Sequence, residues 1–184
     1  MGLLIVLIVL LVVVVVFGIS VYNGLIASKR EVDNALSQID VQLKRRYDLI
    51  PNLVETVKGY MKFESDTLEK VIQARNLALG ARSVGEKSAA DAQVTTALNG
   101  FFAVAESYPD LKSSSNMLSL QEELKSTENK VAYSRQYYND AVTSLNTKIE
   151  QFPSSIFAGM ASIKPRELFE LDEPEARQAI KVSF

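Results

Sequence analysis

Leu3 to Phe17 is an unbroken run of fifteen Leu, Ile, Val and Phe residues, and Gly18, Ile19, Ser20, Val21 and Tyr22 carry the uncharged stretch further. Together they reach the ~20 residues a helix needs to cross the hydrocarbon of a bilayer. The valines have modest helix propensity in water, but in hydrocarbon every backbone N–H and C=O must be satisfied within the segment, so helix wins. Tyr22 falls where an interfacial aromatic belongs. A cleaved signal peptide is the competing reading. No basic residue precedes Leu3 and no small-residue cleavage box follows Phe17, so residues 1–22 are expected to be an uncleaved single-pass anchor that meets lipid through residues 3–22. Lys29, Arg30, Lys44, Arg45 and Arg46 all follow the span, which by the positive-inside rule favours a cytoplasmic body.

From Val32 the apolar positions keep a heptad. Val32, Ile39, Arg46, Leu53, Tyr60, Thr67 and Ala74 fall at a, and Leu36, Leu43, Ile50, Val57, Glu64, Val71 and Ala78 at d; all but Arg46, Thr67 and Glu64 are apolar or aromatic. The phase holds on both sides of Pro51, which predicts one long helix from Tyr22 to Leu79. Pro51 offers no N–H to the carbonyl of Tyr47 and should kink the rod. GARSVGEK, from Gly80 to Lys87, reads as a turn. A second helix follows, with Val94, Leu98, Phe101, Ala105 and Tyr108 on one face and Pro109 ending it. Ser115 or Asn116 suits the N-cap of a third, striped by Leu120, Leu124, Val131, Tyr138, Val142, Leu145, Ile149 and Phe152 and closed by Pro153.

Short links imply antiparallel neighbours. The fold class expected is all-α: an N-terminal transmembrane helix, then an antiparallel up-and-down helical bundle of three or four helices over residues 23–153, the first long and kinked at Pro51. Residues 154–184 read as a short, irregular, extended C-terminal tail packed on the bundle. In it Asp172, Glu173 and Pro174 suit a short helix start, and Ile180 to Phe184 alternates like a strand or clip.

The helix lengths do not match. A straight rod from Tyr22 to Leu79 would run ~87 Å, against ~30 Å and ~54 Å for the second and third helices. Part of its apolar face would then lack a partner within the chain. LIPNLV is mostly apolar and lacks Gly and the usual turn chemistry of a hairpin, so the uncovered stripe is expected to drive association into homo-oligomers.

The chain has no histidine, cysteine or tryptophan. Zinc sites of the His/Cys type, Ser-His-Asp triads and thiol chemistry are thereby excluded, and no cofactor is expected. A net charge of -2 and a pI near 5.3 exclude the basic domain a nucleic-acid binder shows.

Arg46 and Glu64 are charges at heptad core positions, where an unpaired charge is costly. Either they join a buried polar network or they lie at the edge of the stripe and snorkel. They stand eighteen residues apart, ~27 Å along a straight helix, so any partners come from elsewhere, with Glu106, Glu128 and Arg135 suited. Lys44, Arg45 and Arg46 resemble a polybasic lipid site, but Lys44 lies ~33 Å beyond Tyr22, several Debye lengths from the headgroups. A solvated face is the expectation. Glu122, Glu123 and Glu128 lack the histidine of carboxylate metal sites on bundles, so no metal is expected. Tyr133, Tyr137 and Tyr138 form an aromatic cluster expected in the core or at an oligomer interface.

Several stretches in order are similar to the LemA family over essentially the whole chain: YNGLI, DVQLKRRYDLIPNLVETVKGY with the KFE after it, ARNLA, ESYPDLKSS, and TENKVAYSRQYYNDAV running to FPSSIFA. The resemblance implies a bacterial membrane protein with one N-terminal span and a helical up-and-down bundle, whose activity is poorly defined. The family pattern falls on Arg45, Arg46, Asp48, Pro51, Asn52, Glu64, Arg75, Tyr108, Pro109, Lys112, Glu128, Arg135, Asn139, Phe152 and Pro153. These hold no catalytic set and read as a packing and assembly motif. Phe63 stands where many relatives have His. Some relatives are similar to exported lipoproteins, which implies the opposite face for the body.

The expectation is a non-enzymatic, membrane-anchored scaffold that self-associates into homo-oligomers at the bacterial inner membrane. The alternative is a binding module for another membrane or envelope protein, a protease or transport component, with the tail from Ile156 as its contact.

Overall fold

The computed structural model describes residues 1–58 and 65–169. Over these residues the chain is all-α, with α1 (Gly2–Lys58), α2 (Ser65–Gly80), α3 (Val84–Ala105), α4 (Pro109–Lys112), α5 (Ser115–Glu150) and α6 (Ser154–Met160). It divides into two compact units, residues 1–39 with 133–168, and residues 40–132 with Phe169.

In the first unit the apolar run stays outside any core. Leu3 to Phe17 are each 52–77% exposed, and the most apolar window of α1 is long enough to cross a membrane with only 6% of it buried. Burial begins beyond it, at Leu25, Val32, Ala35 and Ile39. The end of α5 comes down antiparallel to α1, with the Tyr137 hydroxyl donating to Glu31 Oε1 at 3.1 Å and Lys148 Nζ to Ser28 Oγ at 2.6 Å. Next, α6 brings the Phe157 ring against Gly18, where any Cβ would stand 3.1 Å from it. The chain then returns. Tyr138 donates to the Glu167 carbonyl at 2.9 Å, and Asn146 exchanges two 2.9 Å bonds with the backbone of Arg166.

The heptad is the core of the second unit. Leu43, Ile50, Leu53, Val57, Val71, Ala74 and Ala78 are all buried. Arg75 Nε nevertheless donates to the Tyr47 carbonyl at 2.8 Å, although the two residues would be ~42 Å apart on one rod. By Ser65 the chain has therefore reversed, and α2 runs back along α1. This corrects the single rod: α1 continues through Pro51 to Lys58 and α2 is a separate helix from Ser65. The heptad ran on in phase because both helices turn their stripes to one core. The helix-length mismatch disappears with the rod. Tyr60, Phe63 and Glu64 lie outside the described residues.

The link from α2 to α3 is shorter than expected, since α2 runs through Gly80 and a capping box starts α3. The Glu86 N–H donates to Ser83 Oγ at 3.1 Å, while Glu86 Oε2 accepts from the N–H groups of Arg82 at 2.8 Å and Ser83 at 3.0 Å. Those backbone donors, Arg82 first, hold the Glu86 carboxyl below the ordinary range. Val94, Leu98, Phe101 and Ala105 are buried as their spacing predicts. Pro109 opens α4 at its first turn.

Three further expectations are corrected. Phe152 is not in the α5 stripe but 82% exposed past the helix end. Of the tyrosine cluster Tyr138 takes the core place, while Tyr133 and Tyr137 are exposed and are not part of the core of this chain. Ser154–Met160 is helical, not irregular. The expected features at Asp172 to Pro174 and Ile180 to Phe184 lie outside the described residues.

Candidate functional site

Pro51 deprives the Tyr47 carbonyl of its helical donor, and Arg75 from α2 replaces it. One residue earlier on α1, the side chain of Arg46 is 3% exposed. Its Nη1 meets Asp91 Oδ1 of α3 at 2.9 Å and its Nη2 meets Glu128 Oε1 of α5 at 3.4 Å. The Tyr47 hydroxyl points at the same Asp91 oxygen across a long 3.5 Å. Burial first, then the charge of Asp91, pushes the Tyr47 phenol above its ordinary range, which keeps it a protonated donor.

Arg46 therefore does not snorkel. Neighbouring helices bring carboxylates to it. A buried pair of this kind adds little net stability but is costly to break. Among the described residues Arg46 Nε and Gln42 Oε1 are buried without a hydrogen-bond partner. The cluster pins three helices, and no group of three Asp or Glu side chains among the described residues is placed to hold a metal.

The other feature of this unit is an open groove of 720 Å³ between α2 and α3. Ala74, Ala92, Ala97 and Gly100 give it small residues, Lys70, Gln73 and Gln93 give it polar ones, and Leu77 is 63% exposed at its edge. A Cβ at Gly100 would meet nothing within 4 Å.

Of the expected motif, Arg46, Pro51, Arg75 and Glu128 come together in the cluster. Arg45 and Asn52 are exposed on α1, and Asp48 pairs with Lys44 at 2.6 Å on the surface. Tyr108 stands at the N-cap position of α4 without a side-chain capping bond, Pro109 follows it, and Lys112 pairs with Glu106 at 3.0 Å. In the first unit Arg135, Asn139 and Pro153 are half-buried and Phe152 is exposed. Glu64 lies outside the described residues. The sequence reading missed Asp91. Its signal was present, since Asp91 extends the 3-4-3-4 spacing of Val94, Leu98, Phe101 and Ala105 by one step, putting a carboxylate on an apolar stripe as Arg46 puts a guanidinium on another.

The sequence profile described as the LemA family matches residues 35–184. Protein LemA of Metamycoplasma hominis is 31% identical over 157 residues, covering 83% of this chain and 70% of its own length. Magnetosome proteins MamQ 1 and MamQ 2 of Paramagnetospirillum magneticum are each 22% identical over 175 residues, 81% of this chain and 64% of theirs. The chain thus spans less than two-thirds of the magnetosome proteins. None of the three names states a reaction. These likenesses and the exposed apolar helix mark a membrane-associated protein, and a profile match over most of its length makes this chain a member of the LemA family.

Proposed function

We propose that this protein is a non-enzymatic, membrane-anchored binding module that holds a protein partner at the bacterial cell membrane, through the groove between α2 and α3. The observation that carries this reading is a division of labour between apolar surfaces. The heptad stripe is covered by the chain's own helices, whereas the groove is open, floored by small residues and edged by the exposed Leu77. Small side chains let a partner helix approach closely, and an exposed leucine gives it an apolar anchor. Self-association through the α1 stripe has less to rest on, since Leu43, Ile50, Leu53 and Val57 are already buried within the chain.

The test is a photo-crosslinking residue at Gln93 of the full-length protein in native membranes. The reading expects a discrete heteromeric adduct, lost when Gly100→Trp fills the groove without altering far-UV circular dichroism. An adduct of two copies of this chain would instead restore the scaffold reading, with the groove as its interface. Absence of any adduct would overturn both.

A further inference from the structure

The loop around α6 has the composition of neither a soluble surface nor a core. Gln151 to Ile163 carries no charged residue, in a chain where 23% of residues are charged. Phe152, Ile156 and Met160 are 82%, 55% and 79% exposed. Three such side chains on one short loop form the kind of patch that soluble surfaces avoid.

The position of the loop says what covers it. Phe157 touches Gly18, which lies four residues before Tyr22, ~6 Å toward the hydrocarbon along the helix axis. Together with Val14, Val15, Ile19 and Tyr22, Phe157 walls an apolar crevice of 370 Å³. The loop is thus continuous with the surface of the anchor, one turn inside its end. Lys148, held to Ser28 at 2.6 Å, marks the watery side, ~9 Å beyond Tyr22.

Several polar groups of the loop are bonded within it or to the end of α5. Ser154 Oγ donates to the carbonyls of Lys148 and Gln151 at 2.5 and 2.9 Å. The N–H groups of Ser155, Ala161 and Ile163 donate to the carbonyls of Gln151, Phe157 and Ala158 at 2.8, 2.9 and 3.0 Å. Hydrocarbon imposes that condition on any backbone it surrounds, and water does not.

We propose that the α6 loop is a second membrane contact, inserting Phe152, Ile156 and Met160 into the lipid beside the anchor in the leaflet where the anchor ends. The occupant of this surface is the bilayer. The inference rests on the reading of residues 3–22 as a bilayer span. Two attachment points restrict the tilt and rotation of the first unit on the membrane more than the span of α1 does alone.

Because the chain has no cysteine, a single spin label reports one site. Full-length protein carrying Ile156→Cys or Met160→Cys, reconstituted in phosphatidylcholine liposomes, is compared with Ser119→Cys as an aqueous control and Val13→Cys as a mid-span control. Collision with oxygen, which concentrates in lipid, is measured against collision with a water-soluble nickel chelate. The oxygen-to-nickel ratio at both α6 sites is expected several-fold above that of Ser119→Cys and below that of Val13→Cys. A ratio matching Ser119→Cys while Val13→Cys reads as buried in lipid overturns this inference alone. Shielding of the α6 sites from both reagents puts protein there and also overturns it. An aqueous reading at Val13→Cys removes the span itself, and the inference with it. Both α6 side chains are exposed, so labelling leaves the core intact, which circular dichroism checks.

Discussion

Arg46 sits at a position where a helix core wants a leucine, and its neighbours explain why it is tolerated. Asp91 is as buried as Arg46, whereas Glu128 is half exposed and can return to water if its partner is lost. Arg46→Leu should therefore destabilise the fold by about 3–5 kcal/mol, mostly by leaving Asp91 charged and buried. Adding Asp91→Leu should recover most of that loss. Urea unfolding of the two single variants and the double variant measures this, and equal additive costs would show that the pair is not coupled. Tyr47 gives a second test at this scale. Its folded pKa is raised by burial and by Asp91, so its contribution is complete below the ordinary tyrosine value of 10.0. Above that value the unfolded chain releases a proton the native state keeps, and stability falls as pH rises. Wild-type protein should lose more stability than Tyr47→Phe between neutral pH and about pH 11, as read from urea midpoints.

At the scale of elements, α1 and α2 are joined through one carbonyl as well as through their buried stripes. Arg75→Met should cost about 1–3 kcal/mol, because the partly buried Tyr47 carbonyl then loses its donor. In a Pro51→Ala background the backbone N–H returns and the same change should cost less, a coupling of about 0.5–3 kcal/mol. Identical costs in both backgrounds would mean that Arg75 acts through something other than this carbonyl. Half of the device was legible in the sequence. Pro51 inside a heptad announces a freed carbonyl on Tyr47, and a stripe that keeps phase announces its buried positions. That α2 runs back along α1 was not legible, because period 3.5 records which side faces the core and says nothing of direction. Asp91 was legible only by extending the α3 stripe back one turn. The α6 loop was misread because FPSSIFA combines proline and serines with exposed apolar residues, a pattern that in water means an irregular tail.

For the molecule as a whole, the sequence sets the membrane relation more firmly than the structure can, since charge and hydropathy decide insertion before the helices pack. We propose that the body is cytoplasmic, from the Lys and Arg residues that follow the span. Ser119→Cys, on the exposed surface of α5, should then resist a membrane-impermeant maleimide in intact cells and react after permeabilisation. Labelling of intact cells would place the body outside. The orientation also decides which partners can reach the α2–α3 groove, so this measurement should precede any search for them.

The donor that Arg75 supplies to Tyr47 bears on how the chain finds one structure among near-equivalents. Apolar stripes alone would let α2 slide along α1 by a turn at small cost, because leucine, valine and alanine recur at each step. Inside an α-helix nearly every carbonyl is already bonded to the N–H four residues on, so a guanidinium sliding along the interior of α1, away from its last turn, finds the vacancy that Pro51 opens. A slip of α2 by one turn would strand that carbonyl and the Arg75 charge together. The proline acts as a detent, converting a smooth hydrophobic track into a single stopping place, and a variant lacking it should keep its helices while losing certainty about where they meet.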